Sequence, residues 1–292
     1  MKSISSYKQL PIYCTFWNTA WTNLKKNKGA LIGSYLLFFL LFLAIIGPFL
    51  TRYTYYDNHL TLINIPPSLK FWFGTDELGR DLFTRTCWGT RISLIMGISA
   101  AIIDLIIGVI WGTIAALSEG IIDEIMMRFC DILSSLPYLL VVILLTVVLG
   151  PGMITLLIAI TCIGWINMAR IVRAQIYHLK NREYVTAAKV LGASSFRIIV
   201  SHLLPNSFGP IFATMTLTIP IAIFTEAFLS FLGLGIQAPI ASLGVMVNDS
   251  ISALRYYPWR LFFPASMIFF TMLSFNLLSD GMRDALDPGL KR

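Results

Sequence analysis

Asp76, Glu77 and Asp81 stand close together after Gly74, a Gly-flanked acidic turn whose carboxylates could bind a cation. Arg80 lies among them and Asp76 is placed to cap a helix, so a capped exterior helix on the membrane surface is the competing expectation. Asp104 and Glu226 interrupt long apolar stretches, where an ionised group near mid-bilayer costs about 2.5–3.5 kcal/mol on insertion scales. Something must offset that cost: a polar translocation pathway, contact with a partner chain, or an internal hydrogen bond. Catalytic sets are missing. His59, His178 and His202 are far apart, no HExxH, GxSxG or Rossmann glycine pattern occurs, and no lysine completes a GxxxxGK[ST] phosphate loop. The chain is therefore expected to be no enzyme, to bind no ATP by that route and to hold no cofactor or metal. Cys14, Cys87, Cys130 and Cys162 show no CxxC or Cys/His ligand spacing and are read as unpaired.

The elements carrying these residues are membrane helices. The 292 residues are 57% hydrophobic and only 13% charged, too apolar for a soluble domain to hide. A helix needs about 20 apolar residues to cross the roughly 30 Å hydrocarbon core. Six stretches qualify, at 31–50, 92–117, 132–149, 153–169, 208–232 and 261–278. The third is entered through Ser134, Ser135 and Pro137, so a bent or irregular start is expected there. The first is too long for a signal h-region and lacks an A-x-A site after it, hence an uncleaved span. The N-terminus, the loop after the second span, 170–197 and the C-terminus carry 15 of the 22 Lys and Arg. The basic 170–197 segment against the uncharged Gly150-Pro151-Gly152 turn decides the orientation, and the positive-inside rule puts both termini in the cytoplasm. The net charge of +7 is scattered, with no run long enough to bind nucleic acid, and lipid is the expected solvent.

The fold class expected is all-α, a polytopic membrane protein with six transmembrane helices and no second soluble domain. It divides into a cytoplasmic tail (1–30), a first transmembrane helix (31–50), an exterior segment (51–91), a core (92–280) and a cytoplasmic tail (281–292). A second exterior segment, 233–259, is apolar enough to dip back as a re-entrant hairpin.

The cytoplasmic stretch 181–206, NREYVTAAKVLGASSFRIIVSHLLPN, reads as two short helices with a break. Asn181 can cap the first and Glu183 favours its positive end; Gly192 ends it, and Ser194 or Ser195 can cap the second. Pro205 marks the return to the membrane. Small Ala187 and Ala188 beside Tyr184, Val185 and Val190 suit packing in a groove of another protein, while an amphipathic helix on the lipid surface fits the same pattern.

These residues resemble the EAA loop of bacterial ABC importer permeases: Tyr-Val-Thr-Ala-Ala-Lys-Val-Leu-Gly-Ala-Ser, then His-Leu-Leu-Pro-Asn. The segments Phe-Gly-Thr-Asp-Glu-Leu-Gly-Arg-Asp ending at Asp81 and Glu-Ala-Phe-Leu-Ser-Phe-Leu-Gly-Leu-Gly starting at Glu226 narrow it to the second permease of dipeptide, oligopeptide and nickel importers. The similarity runs from the first span through Pro288. It implies an inner-membrane subunit paired with a homologous permease, two ABC ATPase subunits that hydrolyse ATP, and an exterior substrate-binding protein. Substrate would be peptide, with nickel or a nickel chelate next. Coupling to the ATPase falls on Glu183, Tyr184, Thr186, Ala187, Ala188, Gly192, Leu204 and Pro205, and Glu226 and Asp104 are candidates for the pathway or an interhelical contact. Thr186 stands where the family most often has the glutamate of its motif, so docking would rest more on shape and apolar contact than on that charge. A proton-coupled secondary transporter using Asp104 or Glu226, and a membrane scaffold without transport, are the rivals from other classes.

Overall fold

The structure is a computed structural model that describes residues 22, 24–118, 120–237 and 239–286. Cys14, Pro288, Arg292 and most of the N-terminal tail lie outside the described residues. Among the described residues the chain forms ten α-helices outside the N-terminal tail: α1 (Lys28–Leu50), α2 (Leu82–Ser118), α3 (Gly120–Ser135), α4 (Tyr138–Leu149), α5 (Met153–Leu179), α6 (Glu183–Val190), α7 (Ser195–Ile198), α8 (Leu204–Phe231), α9 (Leu243–Ile251) and α10 (Trp259–Leu286). Among the described residues the only extended pairing is an isolated bridge between Thr75 and Asp81.

Among the described residues five helices are long and apolar enough to cross a membrane, and the bent pair α3 and α4 makes a sixth span if taken as one. Those two helices meet at 81°. Pro137 explains the break: it lacks an N–H and disfavours the α conformation in Leu136 before it. The bend expected at the third stretch is present, but its first residues belong to α3 and only Tyr138 onward to α4.

α2 lies at the centre, packed on α5, α8 and α1; α10 joins α1 to α8, and α4 leans on α5. α2 starts ten residues before the apolar stretch that announced it, and its polar first turns are buried at Thr84, Arg85, Thr86 and Thr90. Residues 51–81 cover them. Tyr55 stacks on Trp88 at 4.5 Å, and Phe73 on Phe263 of α10 at 3.8 Å. Pro48 leaves the Ala44 carbonyl of α1 without its intrahelical donor, and Arg91 Nε supplies one at 2.8 Å.

The acidic turn is neither a cation site nor an exterior helix. Asp76 accepts from the Leu78 and Arg80 amides at 2.9 Å each and pairs with Arg80 Nε at 2.7 Å. Asp81 is the cap, its Oδ2 accepting from Thr84 N at 2.8 Å and Thr84 Oγ1 at 2.6 Å to start α2. Burial pushes the Asp81 carboxyl above its ordinary pKa, opposed by those Thr84 bonds. Glu77 pairs with Arg260 at 2.8 Å. Arginines thus take the charges of Asp76 and Glu77, and Asp81 is committed to Thr84. Within the expected hairpin segment one helix, α9, forms over Leu243–Ile251 and is set on α8 and α10.

Candidate functional site

The segment 183–205 hangs from the end of α5, which runs ten residues past the apolar stretch 153–169. Lys180 closes α5, donating its N–H to the Ile176 carbonyl at 2.8 Å. A tight turn follows, and Arg182, extended at φ −72° and ψ 147°, is the residue from which α6 starts. Asn181 therefore does not cap it, and no side chain does. Glu183 occupies the first turn, where the helix dipole favours a carboxylate.

Val185 alone of α6 is fully buried. It enters an apolar cluster with Ala116 of α2, Met168, Val172 and Ile176 of α5, and Leu203 and Ile211 around the start of α8. Ala188 is half-buried against the same cluster, while Glu183, Tyr184, Thr186, Ala187 and Gly192 are exposed. Gly192 ends the helix at φ +81°, a left-handed conformation that a β-branched residue strongly resists, and Ala193 N–H reaches back to the Ala188 carbonyl at 3.0 Å. Ser194 then caps α7, accepting from the Arg197 amide at 3.3 Å.

Beyond that cap the helix does not stop at Pro205. A π-helical turn, Ile199–Leu203, joins α7 to α8, and Pro205 sits in the first turn of α8. Proline has no N–H and its ring crowds the preceding turn, and a locally widened turn accommodates both. Leu204 is half-buried and Pro205 exposed. The segment is therefore one short helix and one long rod that continues into a span.

Its root is fastened by polar contacts that sequence reasoning did not single out. Buried Lys180 donates from Nζ to the Ala116 carbonyl at the end of α2 at 3.0 Å and lies 4.1 Å over the Tyr177 ring. Arg173 of α5 grips Asp123 of α3 through both oxygens, at 2.6 and 2.5 Å. Three large apolar side chains stand outward around Gly192, Val190, Leu191 and Phe196 being 83%, 86% and 75% exposed, between the exposed Lys189 and Arg197. The signal available for them was the Val-Leu pair at a helix end, which no capping rule requires.

Glu226 and Asp104 are not brought to this segment. Glu226 is wholly buried and accepts from Ser93 Oγ (2.9 Å), Ser230 Oγ (2.9 Å) and Ser242 Oγ (2.7 Å). Asp104, eleven residues or about 16 Å along α2 from Ser93, faces α5, where a Cβ on Gly164 would come within 2.5 Å of its Oδ2. Among the described residues Asp104 Oδ1 has no hydrogen-bond partner. His178 contacts Arg182 at 2.8 Å, and His202 faces the Tyr184 ring at 6.3 Å. Among the described residues no group of three or more His, Cys, Asp or Glu could hold a metal. Cys87, Cys130 and Cys162 are free.

The whole is an apolar helical bundle with a short helix and the start of a long one projecting from the ends of its central spans. The family described as binding-protein-dependent transport system inner membrane component matches residues 108–292, and the N-terminal TM domain of oligopeptide transport permease C matches residues 15–67. The chain belongs to this permease family and is a multi-pass inner-membrane protein. It is 57% identical over 279 residues to the dipeptide transport system permease protein DppC of Bacillus subtilis, covering 95% of this chain and 87% of that one. It is 53% identical over 278 residues to the oligopeptide transport system permease protein OppC of the same organism, covering 95% and 91%. A chain of the inward-facing MetNI methionine ABC transporter superposes with a TM-score of 0.56 at 15% identity, covering 68% of this chain and 94% of that chain, which shows a shared fold.

Proposed function

We propose that this chain is the permease of an ATP-driven peptide importer in which residues 183–205 are the lever moved by a separate ATPase. The observation that carries the proposal is the two-sidedness of the segment. Val185 is locked among α2, α5 and α8, while Val190, Leu191 and Phe196 present an uncovered apolar crest. A partner gripping the crest moves three spans at once, the local step that alternating access requires.

Each ATPase subunit takes one such segment, from this chain and from a homologous permease, and ATP is hydrolysed there. An exterior binding protein delivers the substrate. Peptide is the substrate class, because the relatives sharing more than half of their residues with this chain carry dipeptide and oligopeptide in their names. Glu183, Tyr184, Thr186, Ala187, Ala188 and Gly192 form the docking helix, with Leu204 and Pro205 at its return to the bundle. The segment is cytoplasmic in this reading, and Glu226 and Asp104 serve contacts between helices.

Gly192→Val tests the lever. A β-branched residue in the left-handed region costs about 1–2 kcal/mol, which is relieved by turning α6 away from α7. ATP-dependent uptake by the assembled transporter is expected to fall about tenfold with membrane insertion unchanged; unaltered uptake would exclude docking at this turn.

A further inference from the structure

We propose that Glu226 is a positioning residue that fastens Ser242 and α9 to the spans, making them a rigid cover at the end of the bundle opposite the lever. This rests on the permease reading above. Glu226 lies near the end of α8, and its carboxylate collects hydroxyls from three places. Ser93 Oγ of α2 donates to Oε2, while Ser230 Oγ, one turn along α8, and Ser242 Oγ donate to Oε1. Ser242 begins α9, where a serine ordinarily caps the helix, yet its side chain makes no cap hydrogen bond. Its hydroxyl is committed to Glu226 instead.

Packing brings the same elements together. A Cβ on Gly244 would collide with the Ala227 carbonyl oxygen, so α9 lies directly on the α8 backbone. Leu243 is fully buried with Leu40 and Met267, and Ile236 with Met96, Ala222 and Leu229. One carboxylate therefore joins α2, α8 and the start of α9 at a place that excludes water. A lost donor there could not be replaced by solvent. When α2 and α8 move relative to each other in the transport cycle, the cover follows them or one of these hydrogen bonds breaks. Its position is thus tied to the arrangement of the spans.

The test uses the assembled transporter with its partner permease, ATPases and binding protein, as wild type and with Ser242→Ala, Ser93→Ala or Glu226→Gln. Hydrogen exchange at the amides of residues 246–251 reads the cover, and peptide uptake per ATP hydrolysed reads coupling. Exchange is expected to rise at least tenfold in Ser242→Ala, which removes the donor outright, and by less in Ser93→Ala and Glu226→Gln, where Oε1 still accepts from Ser242, while amides in α5 stay protected. Uptake per ATP should fall at least fivefold with the amount of assembled complex unchanged, a ratio that a general loss of folding would not move. If Glu226→Gln fails to assemble, the two milder serine variants decide the matter. Unchanged exchange at 246–251, or faster exchange with unchanged uptake per ATP, overturns the proposal. Absence of ATP-driven uptake in the wild-type complex would instead strike the permease reading, and exchange at 246–251 would still show whether Glu226 holds the segment.

Discussion

Leu191→Asp is expected to weaken ATPase binding at least thirtyfold while the chain still inserts and folds. The side chain is 86% exposed and touches none of the apolar clusters that build the bundle, so nothing internal is lost with it. Burying a leucine in an interface contributes about 1.5–3 kcal/mol, and a carboxylate set against the same apolar surface adds a desolvation cost. A total of about 2–4 kcal/mol corresponds to a thirtyfold to thousandfold change in affinity. Co-purification of the ATPase with the membrane-extracted permease reads it, and retained binding would place the ATPase elsewhere.

Arg260→Met is expected to release residues 51–81 from the rest of the fold. Arg260 is 3% exposed and holds three separate parts of the chain: Asn64 Oδ1 at 3.1 Å, Glu77 Oε2 at 2.8 Å and the Asp249 carbonyl at 3.2 Å. Methionine keeps most of the apolar stem and none of the donors. Hydrogen bonds to a charged group contribute about 1.5–3 kcal/mol, and half-exposed Glu77 regains water when released, so a net loss of about 2 kcal/mol is expected. Local opening then becomes roughly thirtyfold more frequent. Proteolysis at the exposed stretch 57–60 should quicken by about that factor, with cleavage of the spans unaffected; an unchanged rate would show that the aromatic stacking around Trp88 and Phe263 holds the segment alone.

Features set by neighbours in the chain were legible in the sequence. Gly192 ends α6 because the left-handed turn there suits a glycine, and Ser194 caps α7 because its hydroxyl reaches an amide three residues on. Features set by distant residues were not. Asp76 and Asp81 are alike as caps until Arg80, Arg85 and Arg260 are placed, and only the fold brings Arg260 over Glu77. The early start of α2 depends on the cover that residues 51–81 provide, and apolar run length cannot register buried Thr84 and Arg85. Asn181 lost its capping role because the turn after α5 leaves Arg182 extended. Glu226 was visible as an ionisable group in an apolar stretch, but Ser93 lies 133 residues away. That separation hid the Ser93 hydrogen bond, whereas Ser230 lies only one turn along α8.

The most direct test of the permease reading is peptide uptake into proteoliposomes, comparing this chain alone with the chain assembled with a homologous permease, ATPase subunits and the exterior binding protein. The chain alone is expected to hydrolyse no ATP and move no peptide, and the assembly to import peptide only when ATP and the binding protein are present. Uptake by the chain alone, driven by a proton gradient and indifferent to ATP, would contradict it.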